Sequence, residues 1–147
     1  MDMIKSIDLA ATPGHLIRRA QQIAVAIFAE HLSAFDITPV QFAILNALLD
    51  SPGIDQVSLA KRVAFDPATS GSVIGRLEAK GWVVRQADPT DRRRKLLVVT
   101  PQGRQALASI QADVARVQQQ ILSPLPKEDQ QHFVNLLSRL VQGHEAN

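Results

Sequence analysis

Residues Arg92, Arg93, Arg94 and Lys95 form an unbroken cationic run, preceded by Asp88-Pro89-Thr90-Asp91 and followed by the aliphatic stretch Leu96-Leu97-Val98-Val99. A guanidinium offers its N–H donors in a rigid plane, grips an oxyanion through two parallel bonds, and sheds water more easily than an ammonium. Such a run suits a polyanion. Set against Asp88 and Asp91 it holds two cations in excess, which equals the formal charge of +2 carried by all 147 residues. Attraction to a polyanion must therefore come from placement rather than overall charge. Alone, a basic run is more often a solvated turn, its arginines here paired with Asp88 and Asp91. The neighbouring elements have to decide between the two.

Other polar groups mark weaker possibilities. His15, Arg18 and Gln22 share one face of a helical pattern, with Arg19 beside them. Arginine can hold a carboxylate, and histidine or glutamine can bond a phenol or amide; the same residues can equally face water. Cysteine is absent, which removes disulfides and thiolate metal sites and makes a reducing cytoplasm the expected compartment. His15, His31, His132 and His144 never stand four apart, so no metal site is expected and a metal-responsive role is the weaker alternative. Gly71-Ser72-Val73-Ile74-Gly75 lacks the lysine of a phosphate-binding loop, and no nucleophile stands near a base. Neither catalysis nor a cofactor is expected. No apolar run approaches the length of a bilayer span, and Met1–Asp8 lacks the order of a secretion signal, so a membrane is not an expected partner.

The elements that must position these residues can be read from caps and periodicity. Apolar residues recur every three or four positions from Gly14 to Phe35, as on a long amphipathic helix. Thr38-Pro39-Val40-Gln41 has the residues of a capping box with proline at the first helical position, and Ser51-Pro52-Gly53 ends that helix. Asp55 can cap a short helix through Val63, and Asp66-Pro67 starts another that runs to Lys80 and closes at Gly81. Helices joined by so short a break cross steeply, as in a helix-turn-helix. Trp82–Arg85 and Lys95–Val99 then read as two strands around the turn at Asp88–Asp91. Two more helices follow, from Thr100-Pro101 to about Leu122 and from about Pro126 onward. Phe28, Phe42 and Phe65 can serve a core or line an apolar pocket.

The expected fold is mainly α with a small β-hairpin wing (α+β), a winged helix-turn-helix flanked by terminal helices. A single domain spans 1–147, with the winged core at 38–100 and helical regions at 8–36 and 101–145. Those end helices carry apolar faces that the core cannot cover, and a second copy is the simplest partner. Directly after a helix-turn-helix, the basic run reads as a wing gripping double-stranded DNA, with Arg92, Arg93 and Arg94 as contacts. Strand alternation would put Arg92 and Arg94 on one face and Arg93 and Lys95 on the other. Thr69, Ser70 and Ser72, small and polar, are the expected groove contacts of the second helix, and Arg76 can reach a base or phosphate or pair with Glu78. A winged module that binds protein instead of DNA remains the alternative.

Leu59-Ala60, the segment Leu77–Arg85, and above all Asp88-Pro89-Thr90-Asp91-Arg92-Arg93-Arg94 with Val99-Thr100-Pro101-Gln102-Gly103 resemble the multiple-antibiotic-resistance regulator (MarR) family, and the order of elements matches over nearly the whole chain. The resemblance implies a cytoplasmic homodimeric transcription regulator, expected to be a repressor, that binds a pseudo-palindromic operator. It also implies that Arg93 enters the minor groove, oriented by Asp91, and that a small effector, often an aromatic carboxylate or phenol, releases the DNA. The family usually carries threonine where this chain has Gly71.

Overall fold

The computed structural model describes residues 3–64 and 66–146; Phe65, expected in a core or pocket, lies outside the described residues. Two compact units divide the chain, Phe28–Val114, and Met1–Ile27 with Ala115–Asn147. The divisions fall inside two helices, so the unit holding the wing is broader than 38–100.

The larger unit begins with the end of α1 (Pro13–Leu32) and a 3-10 turn at Ser33–Phe35, closed by Asp36 in the left-handed region at φ 55°. Helix α2 (Pro39–Asp50) starts as its residues dictate. The Thr38 hydroxyl accepts from the Gln41 N–H at 3.1 Å and the Gln41 side chain accepts from the Thr38 N–H at 3.3 Å, completing the capping box. After the break at Ser51–Gly53 the chain forms β1 (Ile54–Asp55), α3 (Gln56–Val63), α4 (Pro67–Ala79), β2 (Val83–Ala87), β3 (Lys95–Val99) and the first part of α5 (Pro101–Leu122). Strand β1 was not expected from sequence. It pairs antiparallel with β3, Ile54 opposite Leu97, and the sheet order is β1-β3-β2. Strand β2 also runs two residues beyond Arg85, with Ala87 opposite Lys95.

Helix α2 packs on α3, α4 and β3, and α3 on α4. Leu32, Ile44, Leu45, Leu48, Leu59, Ile74, Leu77 and Leu97 are all but fully buried in this unit. Phe28 and Phe42 meet with ring centroids 6.3 Å apart at 54°, a tilted arrangement that suits their quadrupoles. In the smaller unit, α6 (Lys127–Glu145) leaves Phe133, Val134, Leu136, Leu137, Leu140 and Val141 between 40 and 47% exposed. Leu16, Ile17, Ile23 and Val25 of α1 are similarly open.

The junction between wing and α5 turns on one glycine. Thr100 donates its hydroxyl to the Gly81 carbonyl at 2.6 Å and accepts from the Gly103 N–H at 3.0 Å, which draws the start of α5 onto Trp82. A Cβ at Gly103 would stand 2.4 Å from the Trp82 carbonyl oxygen and 2.7 Å from a Val99 methyl. Gly103→Ala is therefore expected to destabilise the fold by roughly 1–3 kcal/mol, as overpacking does. Gly75→Ala, whose Cβ meets nothing within 4 Å, should gain up to about 1 kcal/mol of helix propensity. Urea unfolding midpoints of the two variants check the contrast.

Candidate nucleic-acid interface

Each helix of the helix-turn-helix is started by an aspartate. Asp55 accepts from the Ser58 N–H at 2.9 Å and starts α3, which ends at Ala64 in the left-handed region at φ 59°. Asp66 starts α4, accepting from the Thr69 N–H at 2.9 Å and from the Thr69 hydroxyl at 2.7 Å. Helix α4 closes at Gly81, φ 78°, whose N–H reaches the Glu78 carbonyl. The Lys80 ammonium at this end donates to the Asp36 carbonyl and to Gln41 Oε1 at 3.0 Å, and stands 4.6 Å from the Trp82 ring centroid. Both ends of α4 are thus held.

On α4, Ser70, Ile74 and Leu77 follow one inward stripe and are completely buried, whereas Ala68, Thr69, Ser72 and Arg76 are exposed. Ser70 was expected at the groove. Helical phase places it four positions before Ile74 and seven before Leu77, on the inward stripe, and its hydroxyl finds no partner among the described residues. Thr69 is exposed but its hydroxyl proton is already given to Asp66, so it can only accept from a further group. Arg76 carries no ion pair among the described residues. Glu78, its expected partner, instead takes Arg85 at 2.6 Å.

The wing tip, residues 88–94, is a turn and not paired strand, so the alternation expected for Arg92–Lys95 does not apply. Asp88 is buried at its base, accepting from the Thr90 N–H at 2.9 Å and hydroxyl at 2.8 Å. The Asp88 N–H donates to the Arg94 carbonyl, and the Asp91 carboxylate accepts from the Arg93 backbone N–H at 3.0 Å. Arg94 turns back on the protein, 3.2 Å from Asp55 and 3.8 Å from Asp88. Arg92 and Arg93 are exposed and unpaired among the described residues. Sequence reasoning missed Asp55 as the wing's anchor, because it lies on β1 and its register with β3 is not written locally.

The carboxylates of this frame titrate low. The Thr90 N–H and hydroxyl, then the Arg94 charge, hold Asp88 below the ordinary carboxylate range. Ser58 does the same for Asp55, with Arg94 contributing less, and Thr69 for Asp66.

A family model described as "MarR family" matches residues 35–94. The transcriptional regulator HosA of Escherichia coli O111:H- is 33% identical over 106 residues, covering 72% of this chain and 78% of its own. The chain belongs to the MarR family. Two solved structures agree in fold with this MarR-family chain. The PcaV transcriptional regulator from Streptomyces coelicolor, in complex with its natural ligand, superposes with a TM-score of 0.87 at 36% identity, covering 95% of this chain and 98% of that one. BpsR of Bordetella bronchiseptica, solved to explain regulation of its DNA binding by 6-hydroxynicotinic acid, gives 0.87 at 32% identity, with 93% and 98% covered. The winged helix-turn-helix expected from sequence is therefore the fold. MarR-family proteins are transcription regulators, and no three His, Cys, Asp or Glu side chains cluster as a metal site among the described residues.

The expected effector residues lie on α1 and bond one another: Arg18 to His15 Nδ1 at 3.0 Å, and Arg19 to Gln22 Oε1 at 2.6 Å. Arg18, Arg19 and Gln22 are exposed and His15 half-buried. Within the larger unit, Phe35, Ile37, Trp82, Ala106, Ser109 and Ile110 line an apolar cavity of about 160 Å³.

The low carboxylate values fix a pH dependence. Each group binds its proton more weakly in the folded protein than in the unfolded chain, so its stabilising effect is complete above about pH 4 and is lost as pH falls through the lower folded value. The protection of the Thr90 and Asp88 amides against exchange, taken relative to the intrinsic rate at each pH, is expected to fall on acidification below about pH 4, and Asp88→Asn should remove most of that dependence at Thr90.

Proposed function

We propose that this chain is a homodimeric repressor that binds a roughly palindromic DNA operator through α4 and the wing, and that a small aromatic acid releases it. The observation that carries the reading is the state of the wing cations: Arg94 is consumed in anchoring, while Arg92 and Arg93 project, unpaired among the described residues, from a tip held by Asp88 and Asp55. A fixed tip with two desolvation-tolerant cations suits a narrow, strongly negative minor groove. Beside it α4 offers short side chains, Thr69 and Ser72, and Arg76 one turn on, a surface that lets backbone approach DNA closely. Direct base readout by α4 is modest on this view, and groove shape supplies much of the specificity.

Dimerisation is supported by the apolar residues of α1 and α6 left open in the smaller unit. An apolar stripe of this kind on a helix needs cover, and twofold pairing covers it in both copies at once. Two copies also present two wings, which is why the operator should be palindromic.

The effector reading is supported by the relatives PcaV and BpsR and by the cavity at Phe35 and Trp82. A cavity near 150 Å³ accommodates one benzene ring, and the 160 Å³ here is of that size. Arg18 and Arg19 each spend one NH2 group on His15 and Gln22, and a guanidinium has further N–H donors with which to hold a carboxylate.

Two expected outcomes test the proposal. Replacing Arg92 and Arg93 with alanine should weaken binding to a duplex selected from random sequence by at least about 100-fold, and lower the slope of log affinity against log salt by roughly 1 for each phosphate contact removed. Sedimentation of the same variant should still give a dimer; unchanged affinity would favour a protein partner for the wing. Separately, a thermal-shift screen of aromatic carboxylates should find one that raises Tm and, at 100 times its Kd, adds about 2.7 kcal/mol to stability. That compound should also dissociate the DNA complex in a band shift.

A further inference from the structure

The recognition helix is unusually bare on one flank. Gly71 lies between the buried stripe and the exposed face, and a Cβ there would meet Gln56 Nε2 of α3 at 3.3 Å. The amide of Gln56 thus occupies the space that a side chain at position 71 would take. Its orientation is fixed from behind. Arg85 on β2 donates Nη1–H to Gln56 Oε1 at 2.8 Å and Nε–H to Glu78 Oε1 of α4 at 2.6 Å. A guanidinium only donates, so the Gln56 atom facing it must be the oxygen and the atom facing Gly71 must be the NH2 group. Among the described residues nothing accepts from that NH2. Gln56 also lines a crevice of about 250 Å³ with Arg93, Arg94 and Lys95, between α3 and the wing.

We infer that Gln56 is a DNA contact held by Arg85 as a pure donor, giving its amide N–H groups to an acceptor oxygen or nitrogen of the duplex beside Gly71. The inference rests on the DNA-binding reading above and adds a residue that lies on neither α4 nor the wing. A free glutamine reads adenine by donating to N7 and accepting from N6 together. Gln56 is not placed to do so, because its oxygen is turned toward Arg85 and its NH2 group toward Gly71. The acceptor is a backbone phosphate or a base-edge acceptor, such as guanine N7 and O6 or thymine O4.

The test compares unaltered protein with Gln56→Ala and Gln56→Glu on a duplex selected from random sequence by the unaltered protein. Gln56→Ala is expected to weaken binding roughly 3- to 10-fold, the worth of one neutral hydrogen bond, with an unchanged salt slope because no charge is lost. Gln56→Glu keeps the length of the side chain and the bond to Arg85 but has no donor, and should bind at least as weakly as the alanine variant. A merely structural glutamine would tolerate that change, so full affinity in Gln56→Glu overturns the inference. Repeating the selection with Gln56→Ala separates the two acceptors: uniform loss marks a phosphate, and relaxed preference at one guanine or thymine marks an edge. Relaxed preference at an adenine marks donation to its N7 and supports the inference equally. Equal affinity of all three proteins overturns the inference while leaving the repressor reading intact, whereas failure of the unaltered protein to bind any duplex overturns both.

Discussion

One guanidinium fastens the wing. Arg94 lies between Asp55 and Asp88, half exposed while both carboxylates are largely covered. A single surface ion pair is worth little, about 0–1 kcal/mol, so the effect here comes from what the two anions already do. Asp55 caps α3 and sits on β1; Asp88 folds the turn through Thr90. Both are held by local bonds that do not involve Arg94, and the arginine joins the two local motifs into one frame. Remove that constraint and the wing tip, which has no strand partners of its own between Ala87 and Lys95, is joined to the helix-turn-helix only through the hairpin stem.

Local chemistry explains why so much was legible. Thr38 with Gln41, Asp55 with Ser58, and Asp66 with Thr69 all act across three residues, so the sequence displays both partners side by side. The left-handed closure at Gly81 and the tight seat of Gly103 belong to the same class, though the severity of the Gly103 contact depends on Trp82 and so on the tertiary path.

Non-local geometry explains the misses. Strand β1 is two residues long and pairs with Leu96 and Leu97, more than forty positions away; nothing near Ile54 announces it. Arg94 was assigned a side by strand alternation, but the tip is a turn, and turns have no fixed period. Ser70 was the avoidable error, because Ile74 and Leu77 already marked the inward stripe four and seven positions on. The apolar faces of α1 and α6 were visible as periodicity, and their exposure in the structure leaves the same demand for a partner surface. The pairing of Arg85 with Glu78 and Gln56 could not be read, since it joins three elements through side chains of ordinary composition.

Lys80 carries a consequence of a different kind. Its ammonium is lodged on the Asp36 carbonyl and the Gln41 amide oxygen, so the tail of α4 is moored to the bend that precedes α2. Asp36 is a non-glycine residue in the left-handed region, a conformation that does not drift gradually into another. The mooring point therefore has discrete settings: a change of backbone state at Asp36 would move the carbonyl on which Lys80 rests, and so would be felt at the far end of α4 across more than forty residues of sequence.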